Sequence, residues 1–286
     1  MLNTKLLKFI SRKCCIPQYK NNQLFSTNLS SEVIKFEKEH NVGRITFNRV
    51  DKLNSMNLDF FIDLKKALKV SNDDDDINLT VITNNGKFFS NGFDYEMFKG
   101  MSRDEVKEFS KILCDSIGDL MDAYVYHKKP LIGVVKGPAI GCAFTSIGIF
   151  DYTLCSDKTY FHSPSSRIGL SPMDFSLYIF PKMMGPAKAK ELLMFGRKIT
   201  AYNALRLNLV NEVIRAENMD RISEERINEF LLIEGHTLKT IKNIMNIKVR
   251  DDIHFFGRKE IEIFKARMKT DYFYDSVMKI INEKKN

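Results

Sequence analysis

The stretch Leu131-Ile-Gly-Val-Val-Lys-Gly-Pro-Ala-Ile-Gly-Cys-Ala-Phe-Thr-Ser-Ile-Gly-Ile-Phe150 limits what this chain can become more than any other. Leu131 to Val135 is a short apolar run with the length and branching of a buried strand. Gly137-Pro138 then marks a turn. From Gly141 onward small or apolar residues occupy every side, which predicts a buried helix starting just after that turn. The first amides of a helix have no intrahelical partner and lie at the positive end of its dipole. Such a corner suits a carbonyl oxygen that must take on negative charge, and it is the candidate active centre. A strand–turn–helix corner without chemistry would carry the same pattern. Gly137, Gly141 and Gly148 match neither the dinucleotide spacing nor the phosphate loop, which also needs a Lys-Ser/Thr pair.

Composition matters most at the N-terminus. Residues 1–30 hold Lys5, Lys8, Arg12, Lys13 and Lys20 but no acid, and Leu6, Leu7, Phe9 and Ile10 can form one apolar face. A basic, acid-free, potentially amphipathic start has the form of a mitochondrial transit peptide, and a matrix location is the expectation. These residues supply five of the net +8 charges, so the remainder carries only +3 and the pI of 9.1 does not argue for nucleic acid. No segment approaches the ~18 apolar residues of a membrane span. Cys114, Cys142 and Cys155 lie beyond the leader without a Cys-x-x-Cys, and the five histidines lack metal spacing. Neither a metal nor a bound cofactor is therefore expected.

Along the rest of the chain, Glu32 to Asn48 reads as a strand pair and Leu58 to Val70 as a helix with Phe61, Leu64 and Leu68 on one side. Ile77 to Thr83 reads as another strand. Asn85 to Asp94 is a glycine-bearing polar loop that nevertheless holds three phenylalanines, so it packs against core or ligand. Ser102-x-x-Glu105 is a capping box before a long amphipathic helix that reaches Tyr124. Thr153 to Cys155 and Thr159 to Phe161 read as short strands. Ser171-Pro172 has the form of an N-cap and first helical residue, and Pro181 and Gly185-Pro186 divide the helical segment beyond it. Strand–helix alternation and then a charged helical tail argue an α/β fold, with the tail as an assembly element.

Taken in order, Asn48-Arg49…Asn54, Gly86-Lys-Phe-Phe-Ser-Asn-Gly-Phe-Asp94, Lys136-Gly-Pro-Ala-Ile-Gly141, Phe150-Asp151 and Phe161-His-Ser-Pro164 resemble the crotonase (enoyl-CoA hydratase/isomerase) superfamily. Gly169-Leu-Ser-Pro172, Phe180-Pro-Lys-Met-Met-Gly-Pro186 and Gly196-Arg-Lys-Ile-Thr-Ala201 continue the match, which is clearest over residues 32–215 and most similar to the peroxisomal-type Δ3,Δ2-enoyl-CoA isomerases. The resemblance implies a spiral of β-β-α turns over residues 31–215. It also implies a helical region over residues 216–286 that builds a homotrimer or hexamer. An acyl-CoA thioester would lie across the spiral, its oxygen held by the backbone N–H groups of Phe93 and Cys142. Lys52, Leu53 and Asn54, the loop residues Ser90, Asn91, Gly92 and Asp94, and Gly141 would line the acyl-CoA. Peroxisomal residence is the family's alternative to the matrix, but the C-terminal Glu-Lys-Lys-Asn is not a Ser-Lys-Leu address.

The chain departs from the family at its acids. Thr145 and Ser165 stand where hydratases carry glutamates, and Met173 stands where the isomerases carry theirs. Two-carboxylate hydration is thus not expected, and the candidate base for β-oxidation-type isomerisation is Asp174. Two arrangements compete for it. A small shift of the helix start would bring its carboxylate to the substrate. Alternatively it closes a Ser171-x-x-Asp174 capping box, and a step of about 100° of helix aims it away from the substrate; that geometry favours the capping box. If no base reaches the pocket, the fold becomes an acyl-CoA-binding module without turnover. Cys142, as a lone cysteine, reads as a small apolar lining residue rather than a nucleophile.

Overall fold

A computed structural model describes residues 29–283. Residues 1–28 of the expected transit peptide of residues 1–30 fall outside them, while Leu29–Ser30 pair as the first strand. A seven-stranded sheet forms the centre, in the spatial order β1 (Leu29–Ser30), β2 (Ile34–Glu39), β3 (Val42–Phe47), β4 (Leu79–Asn84), β5 (Leu131–Val135), β7 (Tyr152–Ser156) and β10 (Glu212–Ile214). The first three strands pair antiparallel, and every pairing from β3 to β10 is parallel. β4 and β5 are buried at every position, as parallel strands covered on both faces should be.

Helix α1 (Leu58–Asp73) and helix α2 (Arg103–Val125) cover one face of the sheet. Asn57 caps α1 by accepting the Phe60 N–H at 3.0 Å, and the expected Ser102–Glu105 box is formed at the head of α2. The opposite face, with Leu79, Val81, Ile132, Val134 and Leu154, packs on helix α7 (Met219–Leu231) through Met219 and Ile227.

A second, smaller track runs beside the sheet. It contains β6 (Ala139–Ile140), β8 (Tyr160–His162) and β9 (Ile199–Thr200), extended by single bridges between Met56 and Phe93 and between Ser90 and Ala139. Successive turns of the chain thus lay one strand in the large sheet and a shorter one in the small track, which is the β-β-α spiral expected.

Helix α3 (Cys142–Thr145) is shorter than the apolar run beyond Gly141 suggests, and passes directly into a 3-10 turn, Ser146–Ile149. No helix starts at Ser171. Helix α4 (Ser176–Met184) begins five residues later and contains Pro181 rather than ending at it. Beyond it come α5 (Pro186–Leu193) and α6 (Ala201–Arg206), which Thr200 caps by accepting the Asn203 N–H.

Helix α8 (Gly235–Met268) and helix α9 (Asp271–Glu283) return to the chain's own core, where Phe264, Met268, Phe273, Val277 and Ile281 join the main apolar cluster. Lys242 of α8 donates to Asp151 at 2.6 Å, and the same Asp151 oxygen accepts the Leu131 N–H that opens β5. The Phe150-Asp151 motif therefore ties the last long helix to the sheet.

Candidate active site

Two glycine corners meet at the mouth of α3. Gly92 and Gly141 both have positive φ, 77° and 60°. A Cβ built on Gly92 would lie 2.8 Å from the Ile140 carbonyl oxygen, and one on Gly141 would lie 3.6 Å from the Gly92 Cα. The positions therefore need glycine both for conformation and, at Gly92, for space. The next residues along the chain are Phe93 and Cys142. Among the described residues neither of their backbone N–H groups donates to another residue, although the neighbouring Gly92, Asp94 and Gly141 amides are all paired. Cys142 opens α3, where an amide has no intrahelical acceptor.

The polar residues of the flanking loops hold this corner in place. Ser90 is buried, donates to the Asn54 carbonyl at 2.7 Å and accepts the Gly92 N–H at 3.1 Å. Asn54, in left-handed backbone with Leu53, donates through Nδ2 to the Asn85 and Phe88 carbonyls. Asp94 pairs with Arg49 at 2.5 Å, and Asn91 donates its amide to the Leu53 carbonyl. Of the residues expected to line acyl-CoA, these four thus join the two loops to each other. Lys52 and Leu53 lie at the surface, with the Lys52 ammonium 3.2 Å from Glu96.

Asp174 does not close a capping box. It and Phe175 both adopt left-handed backbone, φ 59° and 62°, so the chain turns before the helix instead of entering it. The turn carries the Asp174 carboxyl inward to Thr145, whose Oγ1 lies 2.6 Å from Oδ2. The helical 100° step therefore does not apply, because residues 171–175 are not helical. Asp174 is 4% exposed. Burial raises its carboxyl from the ordinary 3.8 to about 7, against a smaller lowering by the Thr145 hydroxyl.

Neighbours register that carboxyl. The Cys142 thiol is pushed well up, first by burial and then by Asp174, and lies 3.2 Å from the Met56 sulfur. It is thus a protonated lining group, as expected. The Tyr124 phenol is likewise raised by burial and by Asp174. Met173 is buried in the core cluster. Ser165 sits in a separate 3-10 turn with its hydroxyl 3.5 Å from that of Ser163. His162 turns its carbonyl to the Gly141 N–H at 2.8 Å, while its ring Nδ1 is buried without a partner among the described residues.

Two contributors, Tyr124 and Glu260, carry no mark in the sequence, and a third, Phe264, reads there only as an apolar contact position of the helical tail. Tyr124 looks like one more apolar position of α2. Phe264 stacks on the Phe93 ring with centroids 5.6 Å apart, and Glu260 accepts the Phe175 and Leu177 amides at 2.7 and 3.0 Å. Both come from α8, more than eighty residues beyond Asp174, and an acid in a charged helical tail gives no local sign of burial. No cluster of metal-ligating side chains occurs among the described residues.

The sequence pattern of the family described as Enoyl-CoA hydratase/isomerase matches residues 37–286. The chain belongs to this family. Human enoyl-CoA delta isomerase 2 is 33% identical over 253 residues, which are 88% of this chain and 64% of that protein. The chain therefore spans less than two thirds of that relative. Mouse peroxisomal enoyl-CoA delta isomerase 3 is 30% identical over 246 residues, 85% of this chain and 76% of its own length. The fold is that of the crotonases. A solved enoyl-CoA hydratase/isomerase from Pseudoalteromonas atlantica T6c superposes with a TM-score of 0.78 at 24% identity, over 88% of this chain and 97% of the other. Within the enoyl-CoA hydratase/isomerase family, then, this chain has two glycine corners in contact and Asp174 buried at Thr145, with Met173 beside it.

Proposed function

We propose that the protein is a Δ3,Δ2-enoyl-CoA isomerase acting in fatty-acid β-oxidation, and that Asp174 moves the proton. The observation that carries this reading is the buried Asp174 carboxyl, 2.6 Å from Thr145 of the short helix that follows Gly141 and close enough to Cys142 to raise its thiol further, after burial. As carboxylate, Asp174 takes a proton from C2 of a 3-enoyl thioester. The electron pair left at C2 forms C1=C2 and pushes the carbonyl pair onto the thioester oxygen, giving a dienolate that still holds C3=C4; the pair moves into C2=C3 only when the carbonyl re-forms. The Phe93 and Cys142 amides hold that oxygen; such preorganised donors are worth about 10²–10³ in rate each. Asp174 returns the proton to C4, leaving the 2-enoyl product. A carboxyl near 7 is matched to this task, since it is both an adequate base and an adequate acid at neutral pH.

The loops of Leu53–Asn54 and Ser90–Asp94 fix the rim along which the pantetheine runs, and Lys52 reaches the CoA phosphates by leaving Glu96. Residues 31–215 form the catalytic spiral and residues 216–286 the assembly region of a trimer or hexamer, with the mitochondrial matrix as location and no bound cofactor. Met173 favours a second reading, in which the fold binds acyl-CoA without turning it over. Calorimetric titration with a saturated acyl-CoA beside a turnover assay with 3-enoyl-CoA separates them. Binding with turnover supports the isomerase, binding alone supports the second reading, and no binding removes both.

A further inference from the structure

Helix α4 begins with a defect. Its N-cap is Phe175, in left-handed backbone and with no side chain able to accept the amides of the first turn. The Phe175 amide at this end is buried and the Leu177 amide partly so, and leaving them unpaired is costly. Glu260 of α8, 2% exposed, accepts both. One turn earlier on the same face of α8 is Gly257, where a Cβ would overlap the Phe175 ring. One turn later is Phe264, stacked on Phe93. A single face of α8 thus receives the turn that carries Asp174 and also backs the ring of the residue whose amide opens onto the thioester site.

We propose that Glu260 is a positioning residue: its carboxyl clamps the left-handed Asp174–Phe175 turn and so aims Asp174 at Thr145 and the pocket. This rests on the reading of Asp174 as the proton carrier. Glu260 itself touches no reacting atom. Burial pushes the Glu260 carboxyl up to about 8, against the two amides, with a smaller upward push from Asp174. Without the clamp, two consecutive non-glycine residues at positive φ relax toward ordinary backbone, and Asp174 gains water.

The test measures kcat and KM for 3-enoyl-CoA, and the Asp174 titration by carboxyl ¹³C NMR, in full-length wild type, Glu260→Gln and Glu260→Ala. Glu262→Ala, an exposed position on the same helix, is the control. Expected are a fall in kcat of threefold to tenfold for the glutamine and more than tenfold for the alanine, with KM within about twofold, as for a group acting through another. The Asp174 midpoint moves down in both and stays put in the control. A folded alanine variant with wild-type kcat and an unmoved Asp174 midpoint overturns the proposal, whatever its thermal stability. Should the alanine variant fail to fold, wild-type kcat and an unmoved midpoint in the glutamine variant overturn it. If wild type shows no turnover, a moved Asp174 midpoint still supports the clamp and removes only the isomerase reading.

Discussion

Asp174 has a cost in stability that fixes a measurable sign. The unfolded chain releases this proton near 3.8 and the folded chain near 7. Between those values the folded state holds more protons than the unfolded, so stability falls as pH rises. The difference amounts to on the order of 4 kcal/mol by the end of that range. Glu260, raised to about 8, adds to the same trend. Thermal melting temperature is therefore expected to decline between pH 5 and 8, and Asp174→Asn to show a shallower decline; equal slopes would contradict the assignment of a buried, proton-holding Asp174. That an acid stands one place beyond Met173 was legible in the sequence, and the direction of its carboxyl was not. Ser171-Pro172-x-Asp174 spells a helix start, and nothing local signals that Asp174 and Phe175 take left-handed backbone, because the force that holds them there is a carboxyl 85 positions later in the case of Phe175.

At the scale of elements, the glycine corners were the readable part. Gly92 and Gly141 stand out because polar or apolar runs break at them, and the structure brings their backbones into contact. Gly92→Ala would combine a positive φ, a cost of order 1–3 kcal/mol, with a clash against the Ile140 carbonyl. The expected outcome is a lower midpoint in urea unfolding together with loss of turnover, whereas unchanged stability would mean that the corner is less constrained than its geometry implies. Local signals that act within one turn were also readable, such as the Ser102–Glu105 box and the all-apolar β5. Signals that depend on distant partners misled. Pro181 sits inside α4, and the helical run expected after Gly141 stops at Thr145 because the chain must turn to feed β7.

At the scale of the molecule, the inner face of α8 closes the chain's own core while its outer face exposes several apolar side chains among polar and charged ones. Ile241, Ile244, Met245 and Ile247 are exposed, Met245 to 72%, and Phe255 and Phe256 continue the exposed surface further along the helix. Exposed apolar side chains grouped on one helix suit an interface, and a further copy of the chain is the proposed occupant. Met245→Glu is expected to shift the light-scattering mass toward the monomer; a native mass that is already monomeric would contradict the assembly. The central claim, that one buried aspartate carries the proton at a two-glycine corner, is tested most directly by following 3-enoyl-CoA conversion from pH 5.5 to 8.5 in wild type and Asp174→Asn. The account predicts a wild-type rate that rises through about pH 7, and a loss of roughly 10²–10⁴ in the variant with acyl-CoA affinity kept. A variant that turns over as fast as wild type, with the same pH profile, would contradict it.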